Sequence, residues 1–196
     1  MRYHADITAG SLKVRESRII AGLLLEGLAP DAWNAALVDD NVLQTSSPAT
    51  AKRLGQLLRL RLQTVDAGLW ALIRDGSLIV ATHACLAAAV KHSALLGDFL
   101  DLVMRDQYRL RNPNLPPAVW ERYIEDCQSR DPDMPVWSES TIRRLSSSVF
   151  QILAQAGYIE STRSMKLQAV HISRDVLSYL HDHDETYVIR CIQVGP

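Results

Sequence analysis

The sequence has few cysteines, no apolar leader and no long hydrophobic run. Its three cysteines, Cys85, Cys127 and Cys191, lie far apart and form no C-x-x-C pair, which indicates a reduced chain rather than a disulfide-stabilised secreted one. The first ten residues lack the apolar core of a signal peptide. The uncharged run 76–90 contains His83 and is shorter than the roughly 20 apolar residues that span a bilayer. These absences predict a soluble, cytoplasmic protein with no membrane partner.

An excess of positive charge is also missing. The 196 residues carry a formal net charge of −1, so the whole chain exerts no long-range attraction on nucleic acid. Any binding of a polyanion must therefore use local basic patches. The length suits one or two compact domains, each large enough to bury a core.

Sequence motifs of catalysis are absent as well. The chain has no Walker loop, G-x-G-x-x-G, G-x-S-x-G or H-E-x-x-H. The run His181–Glu185 contains metal-ligand residue types, but adjacent side chains on an extended chain point to opposite faces. A solvated acidic turn is the favoured interpretation. The sequence predicts no enzymatic activity, no cofactor and no metal site.

What the chain does contain is a well-marked amphipathic helix near its C-terminal end. Apolar residues recur at steps of three and four from Ile142 to Ala156, while Arg144, Gln151 and Gln155 lie on the polar face. Ser138, Ser140 or Thr141 can cap its N-terminus, and Gly157 suits the C-terminal end. Beyond it, segments 158–160 and 166–172, joined by a polar turn, are typical of a small β-hairpin. A basic helix followed by a basic hairpin is the pattern of a winged helix-turn-helix.

A second helix repeats the first one's opening. Ser47–Leu54 and Ser138–Leu145 share the pattern S-x-x-T-x-[KR]-R-L, and each copy follows a helix that begins near a tryptophan, Trp33 or Trp120. Serine caps the helix, and the threonine and paired basic residues are groups that bond phosphates. Basic residues in a first turn are unfavourable to the helix dipole, which favours an anionic partner. The alternative is that both are well-capped structural helices.

These patterns predict a fold that is mainly α with a small antiparallel β wing. Two helix-turn-helix-like modules, residues 1–66 and a winged one at 113–196, are joined by core helices in 67–112. Residues 78–80 are interpreted as a short strand or buried turn, and 187–194 as a final strand. Arg61 falls near an apolar stripe, where it would snorkel to solvent or pair with a carboxylate.

Four stretches together carry a resemblance to a known family. They are Tyr3–Leu12, Glu16-Ser17, Gln44–Arg53 with Arg61-Leu62, and Trp137–Leu145. In their order and spacing the chain resembles the BrxA family of bacterial BREX (bacteriophage exclusion) systems. The resemblance implies a small, mostly helical DNA-binding accessory protein that acts beside a methyltransferase, an ATPase and a phosphatase-like subunit. An inner-membrane label used in that family does not suit this sequence, which has no spanning segment.

Residues and resemblance together predict a non-catalytic protein that binds double-stranded DNA, largely through phosphate contacts. The alternative is a protein-interaction scaffold that docks other BREX subunits; the oligomeric state stays open. The predicted DNA-binding residues are Ser47, Thr50, Lys52, Arg53, Gln56, Arg59, Ser138, Thr141, Arg143, Arg144, Ser147, Ser148, Gln151, Arg163 and Lys166.

Overall fold

A computed structural model describes residues 2–7, 10–116 and 118–195. The described chain is mainly helical, which confirms the predicted class. The helices are α1 (Val14–Glu26), α2 (Pro30–Val38), α3 (Pro48–Leu62), α4 (Ala67–Asp75), α5 (Leu78–His92), α6 (Ala94–Asp98), α7 (Arg105–Arg109), α8 (Val119–Arg130), α9 (Glu139–Ala156), α10 (Arg174–Asp182) and α11 (Thr186–Ile192). A π-helical segment, Phe99–Met104, joins α6 to α7.

The alanine-rich helix α5 lies at the centre of the molecule. Its residues 83–90 are all buried, and it contacts α1, α3, α4, α6, α9, α10 and α11. Small side chains allow neighbouring helices to approach closely, which explains how one short helix meets so many partners. Ser77 caps it by accepting the Val80 N–H at 3.3 Å. Residues 78–80 therefore begin a helix, and the predicted strand or turn there is wrong.

The predicted β wing reduces to two isolated antiparallel bridges within the described residues. Ile159 pairs with Leu167, and Lys166 pairs with Asn114 of the loop before α8. Met165 has a left-handed backbone, with φ of 52°. The pairing ends at Gln168, whose N–H donates to the Tyr158 carbonyl oxygen at 2.9 Å and whose own carbonyl oxygen accepts from the Tyr108 hydroxyl. Pairing this short does not form a strand, so the wing is a hairpin-like turn.

The predicted final strand is also wrong, because residues 186–192 form α11. Val188, Cys191 and Ile192 are its buried residues, and this spacing of three and four is helical. β-branched residues in the segment favour a strand locally, but packing on α5 and α10 selects the helix. Helix-turn-helix modules and the division at 66 and 112 stay predictions.

An N-terminal strap, residues 2–7 and 10–13, runs across the helices. Tyr3, Ile7 and Leu12 are fully buried in the common hydrophobic core. The Tyr3 hydroxyl donates to Asp98 at 2.7 Å, and Asp98 also accepts from the Tyr187 hydroxyl of α11 at 2.8 Å. The strap thereby links the start of the chain to its C-terminal helix.

No single helix in the described ranges is long and apolar enough to cross a bilayer. Within those ranges, only the pair of helical segments 78–92 and 94–109 reaches that length and apolar composition, and the two segments meet at a bend of 109°. Much of this pair is buried in the hydrophobic core of the protein.

Candidate nucleic-acid interface

The repeated sequence pattern folds into the same N-cap in both helices. Ser47 and Ser138 have extended backbones, and their hydroxyls accept the N–H groups of Thr50 and Thr141, each at 3.3 Å. The hydroxyls of each serine and threonine pair also lie 2.9 and 3.0 Å apart. Both predicted caps are confirmed. These side chains satisfy orphan amides at the start of α3 and α9.

The N-terminal half of α3 and the middle of α9 face a common cleft of about 730 Å³. The helices, far apart in sequence, contribute its two walls, and the strap contributes its edge. None of the described residues that line the cleft is acidic. The cleft is lined by Gly10, Lys13, Thr50, Arg53, Leu54, Leu57, Arg144, Ser147, Ser148 and Gln151.

Three cations from three elements border this cleft. Arg53 and Arg144 are exposed, and neither guanidinium forms an ion pair or hydrogen bond with any residue in the described ranges. The third cation, Lys13, has its ammonium 3.8 Å from the Glu16 carboxylate. Lys13 is therefore partly neutralised, whereas the two unpaired guanidinium groups of Arg53 and Arg144 create a positive potential that attracts anions. The arrangement therefore suits a ligand with several negative charges.

The interior of the cleft combines polar and apolar groups. Leu54 and Leu57 are half-buried, while Ser147 and Gln151 are exposed and offer a hydroxyl and an amide. Ser148 is buried beneath them. Hydroxyl and amide groups bond phosphate and sugar oxygens as readily as base edges, so these residues fit an anionic, oxygen-rich ligand.

The strap is held at the cleft by two hydrogen bonds. The Leu12 amide donates to the Gln155 Oε1 of α9 at 2.9 Å, and Arg61 Nη1 of α3 donates to the Ser11 carbonyl oxygen at 3.2 Å. Lys13 follows directly, in a left-handed conformation with φ of 50°. Sequence patterns missed four lining residues, Gly10, Lys13, Leu54 and Leu57. No helical periodicity places the strap beside α9, and the two leucines belong to the apolar side chains of α3.

Several predicted residues lie outside the cleft. Arg59 stacks on the Trp33 ring at 4.5 Å, and Arg143 pairs with Glu139 at 3.9 Å. The remainder are exposed side chains on other faces or cap residues whose hydroxyls already serve the helix. Those exposed on other faces are Lys52, Gln56, Arg163 and Lys166, and the cap residues are Ser47, Ser138 and Thr141.

The cysteines lie away from this surface. Cys85, Cys127 and Cys191 are buried free thiols, and burial raises the pKa of Cys85 to about 11 and that of Cys191 to about 12. These thiols are protonated at neutral pH and therefore weak nucleophiles. Within the described residues, no group of three or more His, Cys, Asp or Glu side chains is arranged to hold a metal ion.

Known proteins resemble this chain over nearly its whole length. The family model described as BrxA matches residues 1–184. A "BREX protein BrxA" from Paramagnetospirillum magneticum is 55% identical over 194 residues, covering 99% of this chain and 98% of the relative. Another from Escherichia coli O9:H4 is 36% identical over 167 residues, covering 85% and 78%.

A solved structure shows the same architecture. The crystal structure of an uncharacterized protein from Magnetospirillum magneticum superposes with a TM-score of 0.93 at 53% sequence identity, and covers 100% of both chains. The family match spans the strap, the cleft helices and the core. By this match and these relatives, the chain belongs to the BrxA family.

Proposed function

We propose that this protein is a non-catalytic accessory protein of a bacterial BREX phage-defence system that binds double-stranded DNA, largely through phosphate contacts. The observation that carries the proposal is the acid-free cleft with Lys13, Arg53 and Arg144 at its border. Phosphodiesters are the anions that duplex DNA presents in series, and basic side chains bind them by releasing condensed counterions. The family membership supports the BREX setting, because the relatives bear the name BREX protein BrxA.

Three further predicted cations are also free of ion pairs with the described residues. Lys52 lies on α3, while Arg163 and Lys166 lie on the hairpin-like turn, and all three are exposed without an ion pair to a described residue. Such separate cations are available to a polyanion whose phosphates are spaced along its length, as those of duplex DNA are. We place this activity in the cytoplasm, where phage DNA is encountered, and expect other BREX subunits beside it.

The test is fluorescence anisotropy with a random-sequence duplex across a salt series. We expect affinity to fall steeply with salt, and an Arg53→Ala/Arg144→Ala variant to bind more weakly with the salt slope reduced by about 2, one unit for each lost phosphate contact. A matched control is Arg109→Ala/Arg122→Ala, which removes the same charge from an exposed surface away from the cleft. Equal losses in both variants would contradict the assignment of the cleft.

The second candidate is a protein-interaction scaffold within the BREX complex. Leu78 and Ile79, adjacent in the first turn of α5, are 70% and 65% exposed. Large apolar side chains exposed side by side are typical of a docking surface. Stable co-purification with a BREX subunit, lost in a Leu78→Ser/Ile79→Ser variant, together with no duplex binding at low salt, would favour the scaffold.

A further inference from the structure

The shared cleft restricts how α3 and α9 can meet DNA. A recognition helix about 10–12 Å in diameter fills a major groove about 12 Å wide with the residues of its outward face. Here Arg53 of α3 and Arg144 of α9 line the same cleft. Two faces that form the walls of one cleft cannot each lie on the base pairs of a separate major groove. Whatever Arg53 and Arg144 bind together must enter between the helices.

The size and chemistry of the cleft identify that occupant. Its volume of about 730 Å³ is that of a small-ligand pocket and far smaller than a duplex segment. Among the lining residues that the structure describes, none is aromatic, whereas sites for single-stranded nucleic acid stack the unpaired bases on aromatic rings. The cleft therefore suits a phosphodiester backbone whose bases stay paired outside it.

We infer that one backbone strand of an intact DNA duplex lies in the cleft, held from both sides by Arg53 and Arg144. This inference rests on the proposed function and specifies its geometry. Thr50 and Ser147 place hydroxyls along the same path, and Lys13 adds a third cation from the strap. Phosphate contacts carry no base information, so binding through the cleft is independent of sequence.

The strap contributes to the same binding site. Gln155 anchors the Leu12 amide, one residue before Lys13, and so acts as a positioning residue. If the two arginines hold the same strand from opposite sides, their contributions to the binding free energy are coupled. When either is removed, the strand is no longer fixed in the cleft and the other arginine loses part of its contact.

A double-mutant cycle tests this coupling. The variants are Arg53→Gln, Arg144→Gln and the combination, with duplex affinity measured by anisotropy at low salt. We expect each single variant to bind about ten-fold more weakly and the combination to fall short of the hundred-fold product by about three-fold or more. Lys52→Gln and Arg143→Gln, the adjacent basic residues outside the cleft, form the matched cycle, and their smaller effects should multiply.

The possible failures are distinguishable. If the wild-type protein does not bind duplex at low salt, the proposed function and this inference both fall. If it binds but the Arg53 and Arg144 effects multiply or are absent, duplex binding stands and the shared-strand geometry is overturned. If a single-stranded oligonucleotide of equal length outcompetes the duplex, and only through Arg53 and Arg144, the cleft is assigned to unpaired nucleic acid.

A chemical footprint locates the strand independently. Ser147 is exposed in the cleft and Ser129 is exposed on α8, while the three native cysteines are buried. Ser147→Cys and Ser129→Cys variants therefore provide selective sites for maleimide labelling. At saturating duplex we expect labelling of Cys at 147 to slow at least five-fold and labelling at 129 to stay unchanged. Undiminished labelling at 147 overturns the inference, and far-UV circular dichroism verifies that both variants are folded.

Discussion

Arg61 is an unusual residue in this fold, because it is a buried cation with few partners. Its side chain is only 1% exposed, and its Nη1 donates to the Ser11 carbonyl oxygen. Its Nε and Nη2 atoms have no hydrogen-bond partner among the described residues. Burial lowers the pKa of this guanidinium, since a low-dielectric interior disfavours the charged form. The sequence predicted snorkelling or a carboxylate pair, and the buried side chain does neither.

Replacing Arg61 with methionine should leave the free energy of unfolding unchanged or raise it by about 1 kcal/mol. Methionine fills similar space without stranded donors, and apolar replacements of buried charges are often neutral or stabilising. Arg61→Ala is the control, since it leaves a cavity and should lower stability by about 2–4 kcal/mol. Urea unfolding measures both. A loss of more than about 2 kcal/mol in the methionine variant would instead show that the bond to Ser11 anchors the strap.

At the scale of helices, the two serine caps are the next test of the repeated pattern. Ser47→Ala and Ser138→Ala should each lower the free energy of unfolding by about 1 kcal/mol, because an amide in the first turn loses its acceptor. Ser140→Ala is the matched control: the Ser140 hydroxyl contacts Ser138 Oγ but is not the cap acceptor. Urea denaturation should show a change within about 0.5 kcal/mol for the control. A larger loss of stability in Ser140→Ala would contradict the assignment of Ser138 as the N-cap of α9.

A histidine contact joins α10 to α4. His183 Nε2 lies 2.9 Å from Asp66 Oδ2, and its Nδ1 lies 2.7 Å from the Tyr179 carbonyl oxygen. Both partners are acceptors, so both ring nitrogens donate only when the imidazole is protonated. The Tyr179 carbonyl and the Asp66 carboxylate together raise the pKa of His183. Burial alone would raise the pKa of Asp66, but hydrogen bonds from Tyr179 and Gly68 lower it overall.

These shifts set a pH window for the contact. A raised His183 pKa contributes stability that is fully present below about pH 6.5, the ordinary histidine pKa, and is lost as pH rises through the folded value. A lowered Asp66 pKa contributes stability present above about pH 3.9 and lost as pH falls through its folded value. The contact is therefore strongest between about pH 4 and 6.5.

The expected result is a loss of stability in the wild type, relative to His183→Gln, as pH rises from 6 to 9. The comparison isolates His183, because buried His83 and half-buried His92, whose pKa values burial lowers, are the same in both proteins. Unfolding midpoints in urea at each pH give the difference. If the unfolding midpoints of the two proteins differ by the same amount at every pH in this range, the contact does not favour the protonated imidazole of His183.

Local chemistry predicted the helices well where caps and apolar periodicity agreed. Ser47, Ser138 and Gly157 mark helix ends as expected, and Gly157 has the left-handed φ of 86° that suits a helix end. The errors at 78–80 and 187–194 have different causes. At 187–194 the weak local strand preference of β-branched residues yields to packing of α11 against α5 and α10. Residues 78–80 are the start of α5 itself, where the Ser77 cap begins the helix while Leu78 and Ile79 stay exposed.

For the whole molecule, sequence patterns identified both basic helices but not their convergence. The relation between Arg53 and Arg144 depends on how α5 and the strap position α3 and α9, and no spacing in the chain encodes it. Lys13 was missed for the same reason. The predicted stripe of Arg144, Ser147 or Ser148, Gln151 and Gln155 lines the cleft except for Gln155, which instead accepts the Leu12 amide. Helical periodicity determines which residues share a face.

The buried core implies that the chain unfolds as a unit. One cluster of buried residues extends from Tyr3 to Val194, and Asp98, 4% exposed, accepts hydrogen bonds from Arg2 and Tyr3 of the strap and from Tyr187 of α11. Contacts that cross all three predicted regions oppose independent unfolding of any one. We therefore expect a single cooperative transition.

Asp98→Asn tests this cooperativity. Asp98 is the last residue of α6, and the substitution weakens its charged hydrogen bonds to the strap and to α11. We expect a loss of about 2 kcal/mol, a lower urea midpoint and an unchanged slope. Hydrogen exchange read by mass spectrometry at each urea concentration should give the same shift for peptides from 1–66 and from 113–196. If the two regions unfolded independently, Asp98→Asn would lower the urea midpoint of exchange in one region and leave it unchanged in the other. Equal shifts of the urea midpoint in both regions would mean that the two walls of the cleft, although they come from distant segments, belong to one cooperative folding unit.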